Sequence, residues 1–269
     1  MEHTELIMLG TGNAAVTQCY NTCFAIRNNN QTLLVDGGGG NGILIQLQKA
    51  GLPLSEIKDM FITHAHTDHI LGAVWVLRVI AQQMQKGNYE GEFRVYSHDK
   101  AIEVLRWICR MTLPPKIVAC LEQRVQFHEV KSGDCFEAAG LQLQCFDIFS
   151  TKEKQFGFRA VFPDEKVLVC LGDEPYNEQT RVYVEHADWL LCEAFCLYAD
   201  REKFKPYEKH HSTALDAGRL AAQLGVKNLL LYHTEDETLS FRKRRYGAEA
   251  ACEFQGNVYV PDDLEKITL

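Results

Sequence analysis

The sequence of 269 residues lacks any apolar run of about 18 residues, the length that a helix needs to cross a membrane. Its start, MEHTELIMLG, has no basic segment followed by a long apolar stretch, so we expect no secretory signal. It also lacks a low-complexity tract or a linker rich in Pro, Gly and Ser. These absences predict a protein without membrane association, folded as a single domain over residues 1–269.

Positive charge is scarce as well, because 28 Lys and Arg stand against 36 Asp and Glu and the net charge is −8. An acidic chain lacks the broad positive field that attracts long nucleic acids, and we do not expect such a partner. The one basic cluster, Arg242–Arg245, is interpreted as a solvated surface run, with a clamp for a small phosphate as the alternative.

The ten cysteines include no Cys-x-x-Cys pair, and several lie in apolar runs such as VLVCL around Cys170. Cysteines scattered through a long chain indicate reduced core residues rather than a disulfide framework. We therefore expect a cytoplasmic protein.

What the sequence does contain is an alternation of short apolar runs with helical stretches. Strands are predicted over residues 32–38, 58–66, 93–98, 141–148, 156–162, 166–173, 189–195, 226–234 and 256–261. Helices are predicted over 70–85, 102–111 and 212–225, and Trp75 and Trp107 within helical patterns are expected in the core. Strands in each half, followed by helices, predict an α/β protein of stacked sheets flanked by helices, in four layers.

The strongest chemical signal is THAHTDH at residues 63–69, which contains His64, His66, Asp68 and His69. Residues two apart in an extended segment point the same way, so His64 and His66 can hold one ion. After the chain turns, Asp68 and His69 can face a second ion, and imidazole and carboxylate suit Zn²⁺, Mn²⁺ or Fe. The alternative, a solvated polar loop, does not explain this density of ligands after a buried strand.

Two further candidates end apolar strands. Asp173 follows VLVCLG and could bridge two metals, although an Asx turn is an alternative. His233 follows LLLY, with a core histidine at a strand end as its alternative. Side chains at strand ends converge on a shared crevice in sheet proteins, so both are expected beside the first motif.

Together with LGTGNAA near the start and LLVDGG at 33–38, these residues resemble the metallo-β-lactamase superfamily. The resemblance covers essentially the whole chain and implies a four-layer αβ/βα sandwich with a dinuclear metal site between the sheet edges. It also implies that Asp36 supports the ligand loop without touching metal. The glycines at 37–40 are interpreted as a tight turn under that loop, because they lack the spacing of a phosphate-binding motif.

Within that superfamily, the chain is most similar to the ribonuclease Z branch. Glu193 in LLCEAFC matches a glutamate of that branch, with Cys192 in place of a neighbouring histidine, and His211 in HHST matches the branch's His-Ser-Thr triplet. The resemblance implies that His211, oriented by Glu193, protonates the leaving group. The alternative is that His211 merely precedes a helix N-cap at Ser212.

Two departures from the branch bear on the metals and the substrate. Phe149 occupies the position of a ligand histidine, so one ion would keep only His64, His66 and the shared Asp173. Of the spare histidines, His98, His128, His186 and His210, we expect His210 nearest the site. Only the 23 residues 150–172 separate Phe149 from Asp173, which leaves no room for the branch's long arm that binds transfer RNA. Lys152 and Lys154 in this stretch are expected to be exposed to solvent, with side chains that face the cleft as the alternative.

We therefore expect a metal-dependent hydrolase that uses metal-activated water on a small-molecule or short nucleotide phosphodiester. Asp68 would orient the water, and Zn²⁺ is the first choice of divalent metal, with one or two ions bound. The alternatives are a hydrolase of small esters or lactones, or a weakly active or non-catalytic metal-binding protein because of Phe149. The branch is commonly dimeric, so a homodimer is an additional expectation.

Overall fold

The computed structural model describes residues 4–269, whose strands form two seven-stranded sheets. In chain order the strands are β1 (Thr4–Gly10), β2 (Cys23–Asn28), β3 (Gln31–Val35), β4 (Ile57–Phe61), β5 (Phe93–Ser97), β6 (Val125–Glu129), β7 (Cys135–Ala138), β8 (Leu141–Asp147), β9 (Phe156–Val161), β10 (Val167–Cys170), β11 (Trp189–Glu193), β12 (Asn228–Tyr232), β13 (Asn257–Tyr259) and β14 (Lys266–Thr268). The α-helices are α1 (Gly42–Ala50), α2 (Thr67–Gln85), α3 (Asp99–Thr112), α4 (Pro115–Arg124), α5 (Arg181–Val184), α6 (Arg201–Phe204), α7 (Ala214–Gln223) and α8 (Leu239–Ala250).

Each sheet has an antiparallel half and a parallel half. The first sheet has the order β14-β1-β2-β3-β4-β5-β6, and its pairs are antiparallel up to β3 and parallel from β3 onward. The second has the order β13-β12-β11-β10-β9-β8-β7, antiparallel from β7 to β10 and parallel from β10 to β13. Parallel strands all end at one edge, so each sheet offers a row of strand ends on which a site can be built.

Three apolar layers hold the sheets and helices together. Alternate residues of β1 show the principle, because Leu6 and Met8 pack between the sheets while Ile7 and Leu9 pack against the first helical layer. That first layer consists of α1 to α4, and α5, α7 and α8 cover the other face of the second sheet. The resulting order of helix, sheet, sheet and helix confirms the predicted four-layer α/β sandwich.

Two tryptophans expected in the core are not there. Trp75 is 37% exposed and Trp107 is 62% exposed. Helix α2 buries Val76 and Leu77 on the face next to Trp75, and α3 buries Leu105 on a face that Trp107 does not share. An amphipathic helix buries only one stripe, so an aromatic residue off that stripe remains at the surface.

The basic cluster Arg242–Arg245 was interpreted as a solvated surface run, but its first residue is buried. Arg242 is 1% exposed, and its guanidinium donates hydrogen bonds to Thr234 Oγ1 and to the Pro261 carbonyl, both at 2.8 Å. Buried charge is retained in proteins when hydrogen bonds compensate its desolvation. Arg242 therefore ties α8 to the chain segment that follows β12 and is not free to clamp a phosphate.

The cysteines largely follow the expectation. All ten are free thiols, and seven are buried, whereas Cys135 and Cys252 are exposed. Between residues 4 and 269, no helix has both the length and the apolar character that crossing a membrane requires. The single-domain organisation over residues 1–269 stays a prediction.

The glycine turn after β3 contacts the first turns of α2 directly. Gly37 N donates a hydrogen bond to the His69 carbonyl, and Gly72 N donates one to the Gly38 carbonyl, both at 2.8 Å. A side-chain carbon on Gly72 would lie 1.7 Å from the Gly37 carbonyl oxygen, so only glycine allows this approach. The interpretation of residues 37–40 as a turn under the metal loop is confirmed.

This close approach predicts that Gly72→Ala lowers the free energy of unfolding by about 3 kcal/mol, the upper end of the usual cost of overpacking. A matched control is Gly247→Ala in α8, where the added carbon would meet only Val260 at 4.0 Å. That change should raise stability by about 0.5–1 kcal/mol, since alanine loses less backbone entropy in a helix. Urea denaturation measures both, and equal stability of Gly72→Ala and the unmodified protein would contradict the prediction.

Candidate metal centre and active site

The candidate site lies where parallel strands of both sheets end. Asp36 follows β3, His64 follows β4, Asp173 follows β10, and His233 follows β12. Glu193 is the last residue of β11 and pairs in register with the last residue of β12. Long-range pairing of the strands therefore brings these strand ends together, as the sequence predicted.

Two groups of possible ligands share one carboxylate. Asp68, His69, Asp173 and His233 form the first group, called here the four-residue cluster. His64, His66 and Asp173 form the second, the three-residue cluster, and in each cluster the ligand atoms lie within 4.8 Å of one another. All six residues proposed from the sequence as metal ligands are thus brought together.

His69 lies at the centre of a group of buried carboxylates. Its Nδ1 is 2.7 Å from Asp36 Oδ2, while its Nε2 is 3.4 Å from both Asp68 Oδ2 and Asp173 Oδ2. The Nε2 atom is buried and has no hydrogen-bond partner. Burial alone would lower the pKa of His69, but the Asp68 and Asp36 carboxylates raise it well above its usual value. The surroundings of Nε2 therefore favour a positive charge.

For three other ligand candidates, His64, His233 and Asp173, the pKa is shifted toward the protonation state that a metal requires. Burial holds the pKa of His64 well below its usual value and lowers that of His233 to about 3. Burial would raise the pKa of Asp173, but His64 and the other neighbouring histidines hold it well below its usual value. Neutral imidazoles, ionised carboxylates and the unpartnered His69 Nε2 form a donor set that fits a divalent ion.

Asp36 connects the ligand loop to the first sheet. Besides His69, its carboxylate accepts hydrogen bonds from Thr63 N at 2.8 Å and from Thr63 Oγ1 at 2.7 Å. A carboxylate that holds the Nδ1 of a ligand histidine fixes the ring and leaves Nε2 free for metal. This geometry agrees with the supporting role that the sequence suggested for Asp36.

Gln155, which the sequence analysis missed, lies beside the three-residue cluster. Its Nε2 donates a hydrogen bond to Asp173 Oδ1 at 2.6 Å and lies 2.8 Å from His64 Nδ1. Phe149, in contrast, is 42% exposed and does not line the site cavity. Gln155 lies immediately before the FGFR stretch, and this position was the signal that the sequence offered. A glutamine by itself gave no reason to expect a role at the site.

His211 and Glu193 come close to each other, as the sequence predicted. His211 Nδ1 is 3.6 Å from Glu193 Oε2, and neither atom has a hydrogen-bond partner. The other Glu193 oxygen accepts a hydrogen bond from Ser212 N, and the His211 ring stacks on Phe195 with 4.7 Å between centroids. The alternative placed a helix cap at Ser212, but the N-cap of α7 is Thr213. His211 is also 5.4 Å from His233, measured between ring centroids.

A cavity of about 490 Å³ opens over both clusters and contains two lysines in its wall. Lys152 lines the cavity, which was the alternative interpretation, and its residue is also exposed to solvent as expected. Lys154 is exposed and pairs with Asp99 at 2.5 Å. Lys209 is the second lysine of the wall, and the sequence analysis did not single it out. Asn13 and Ala14 from the LGTGNAA stretch contribute another part of the wall.

The spare histidines contribute no ligand to either cluster. His98 is buried and its Nδ1 caps α3 by accepting a hydrogen bond from Ala101 N. His210, expected nearest the site, is exposed, contacts Thr151 Oγ1 at 3.2 Å and does not line the cavity. It adopts a left-handed backbone conformation at the end of a short helix, and the next residue, His211, lines the cavity instead.

Comparison with known protein families gives one match that spans nearly the whole chain. The family described as "Anti-Pycsar protein Apyc1" matches residues 4–255. The chain belongs to this family. The sequence analysis reached the superfamily and the ribonuclease Z-like branch but did not distinguish this family within it.

Relatives of known name agree with that assignment. A ribonuclease Z from Thermobifida fusca is 24% identical over 320 residues, covering 100% of this chain and 96% of the relative. The metallo-β-lactamase fold protein YhfI from Bacillus subtilis has a TM-score of 0.78 at 18% identity, covering 100% of both chains. The short form of human tRNase Z has a TM-score of 0.75 at 21% identity, covering 98% of both. The chain is a member of the metallo-β-lactamase superfamily in its ribonuclease Z-like branch.

The charge around His69 predicts that Zn²⁺ binding to the four-residue cluster releases about one proton at pH 7. The pKa of His69 is raised well above its usual value, so without metal the ring holds a second proton, which a ligating ring must lose. The apparent affinity for Zn²⁺ should therefore rise with pH until the pKa of His69 is passed.

Calorimetric titration in buffers of different ionisation enthalpy measures the protons released. The second ion provides an internal control, since burial already keeps His64 of the three-residue cluster neutral. Binding of the first ion without proton release would contradict the protonated state of His69.

Proposed function

We propose that the chain is a metal-dependent phosphodiesterase whose substrate is a small molecule or a short nucleotide. The observation that carries the proposal is the convergence of two ligand clusters on Asp173, with His211 beside them at the same cavity. The names of the ribonuclease Z relatives support phosphodiester chemistry. The family description adds an expected role as an anti-Pycsar protein.

The donor set would hold one or two divalent ions, with Zn²⁺ as the first choice and Mn²⁺ or Fe as alternatives. When bound, such an ion acidifies water and stabilises negative charge on phosphoryl oxygens. Asp68, whose pKa is held below its usual value mainly by His69, stays ionised and can accept a hydrogen bond from the attacking water. His69, fixed by Asp36, keeps the ligand loop in place.

His211 is the proposed proton donor for the leaving alkoxide. Its Nε2 faces the cavity side of the ring, where Lys152 Nζ lies 3.4 Å away, while Nδ1 faces Glu193. Protonated His211 would form an ion pair with Glu193, which would keep its Nε2 directed toward the cavity. His211 would therefore act by giving a proton to the leaving oxygen and not by binding metal.

The size and charge of the cavity favour a small substrate. Residues 156–170 form the β9–β10 hairpin, so no long arm extends from this part of the chain to hold a folded RNA. The net charge of −8 also disfavours long nucleic acids, whereas Lys152 and Lys209 supply local positive charge at the cavity. A cytoplasmic location and a homodimer stay predictions.

A second candidate is a weakly active or non-catalytic metal-binding protein. The observation in its favour is the three-residue cluster, which has one ligand fewer than its neighbour and has Gln155 hydrogen-bonded to Asp173. Metal analysis of protein purified without added metal or chelator, followed by activity at one and at two ions per chain, separates the two candidates.

The proposal predicts that His211→Ala lowers kcat for bis(p-nitrophenyl) phosphate by about 100-fold or more, the usual contribution of a general acid. Metal content should not change, because His211 belongs to neither ligand cluster. Steady-state kinetics and metal analysis of the same preparation provide both values.

The control is His128→Ala, since His128 lies on β6 away from the cavity and contacts Gln126. Its kcat should match that of the unmodified protein. Loss of metal in His211→Ala, in parallel with activity, would overturn the general-acid assignment and leave His211 as part of the metal site.

A further inference from the structure

We propose that Lys152 binds a phosphoryl oxygen of the substrate and that Glu174 holds it over the metal clusters for this purpose. The inference deepens the proposed phosphodiesterase function and rests on it for the identity of the substrate. It concerns the loop between β8 and β9, residues 148–155.

Glu174 is a buried carboxylate that directly follows the shared ligand Asp173. One oxygen accepts a hydrogen bond from Ser150 Oγ at 2.8 Å, and the other accepts one from Thr151 N at 3.2 Å. Lys152 Nζ lies 3.7 Å from the first oxygen. Two consecutive residues therefore serve the site, one by ligating metal and the other by folding a loop over it.

The loop itself is closed by a side-chain turn. Ser150 Oγ, while donating to Glu174, accepts hydrogen bonds from Lys152 N and Glu153 N, both at 3.2 Å. A serine hydroxyl can donate one hydrogen bond and accept two, so this one is fully used. The backbone at Lys152 is thereby fixed relative to Asp173, which reduces the entropy lost when its side chain binds a ligand.

The Lys152 ammonium is directed at the reacting groups. Its Nζ is 3.4 Å from His211 Nε2, and the side chain is only 28% exposed. An ammonium group has three donors, and the separation of 3.7 Å from Glu174 is too long for a hydrogen bond, so at least two donors remain for a ligand. Lys209 also lines the cavity, but it lies on an exposed short helix, and its Nζ packs over the Phe195 ring, 5.0 Å from the centroid, instead of pairing with a buried carboxylate.

A purely structural role for Lys152 does not account for this arrangement. Glu174 already receives hydrogen bonds from Ser150 and Thr151, so its burial does not require the lysine. The separation of 3.7 Å between Lys152 Nζ and Glu174 is an ion pair without a hydrogen bond. A phosphate oxygen would give the ammonium group a charge-assisted hydrogen bond beside His211, where the leaving group must lie.

The test is inorganic phosphate binding to the Zn²⁺-loaded protein, measured by calorimetry, because this readout does not depend on turnover. Lys152→Met should raise the dissociation constant of phosphate about tenfold, the effect of losing one charge-assisted hydrogen bond. Lys152→Arg should recover most of the affinity. Glu174→Gln should weaken binding about threefold, since the loop keeps its hydrogen bonds but the cation loses its charged anchor.

The matched control is Lys154→Met, two residues away on the same loop, whose ammonium group pairs with Asp99 outside the cavity. Its phosphate affinity should stay within about twofold of the unmodified protein, as expected for an exposed ion pair. With bis(p-nitrophenyl) phosphate as substrate, Lys152→Met should raise KM by a factor similar to its effect on phosphate.

Metal analysis and thermal unfolding of each variant decide between the outcomes. Unchanged phosphate affinity in Lys152→Met, or no phosphate binding by the unmodified protein, would overturn the proposal. Weaker binding that merely follows loss of Zn²⁺ from Lys152→Met would overturn it as well. If phosphate binding depends on Lys152 but the unmodified protein cleaves no diester, the Lys152 contact stands and the phosphodiesterase function is wrong.

Discussion

Three buried carboxylates around one imidazole are the constraint on which the candidate site depends. Asp36, Asp68 and Asp173 all lie within 3.4 Å of a His69 nitrogen, and none of them is exposed to water. Burying this much negative charge costs several kcal/mol per ion unless a cation compensates it. The protein meets the requirement with a proton on His69 or with a divalent ion, and the two compete for the same atom.

The fold makes that concentration of charge possible by joining two sheet edges. Asp36 and the ligand loop end strands of the first sheet, whereas Asp173 and His233 end strands of the second. The contact between Gly37 and Gly72 seats the first turns of α2 against the turn after β3, which keeps His69 within reach of Asp36. Because four layers pack around the two sheets, neither edge can move without disturbing an apolar core.

The loop before β9 adds side chains of its own to this arrangement. It brings Gln155 beside His64 and Asp173, and it brings Lys152 beside His211. The first contact fixes one oxygen of Asp173, and the second is the basis of the proposed contact between Lys152 and a phosphoryl oxygen. Loops carry such differences because they can change length and sequence without altering the core that positions the ligands.

The sequence alone determined the features that are encoded locally. The density of ligands in residues 63–69, apolar runs that end in Asp173 and His233, and the alternation of strands with helices were sufficient to predict the four-layer fold and the six proposed ligands. Local patterns could not decide which side chains are buried or which distant segments contact each other. The predictions about Trp75, Trp107 and Arg242 were wrong for this reason. Gln155 and Glu174 gave no signal, because a glutamine or glutamate acquires its role only from the residues that face it across the fold. Those partners lie 18 to 91 residues away for Gln155, so only the pairing of strands in the tertiary structure brought them together.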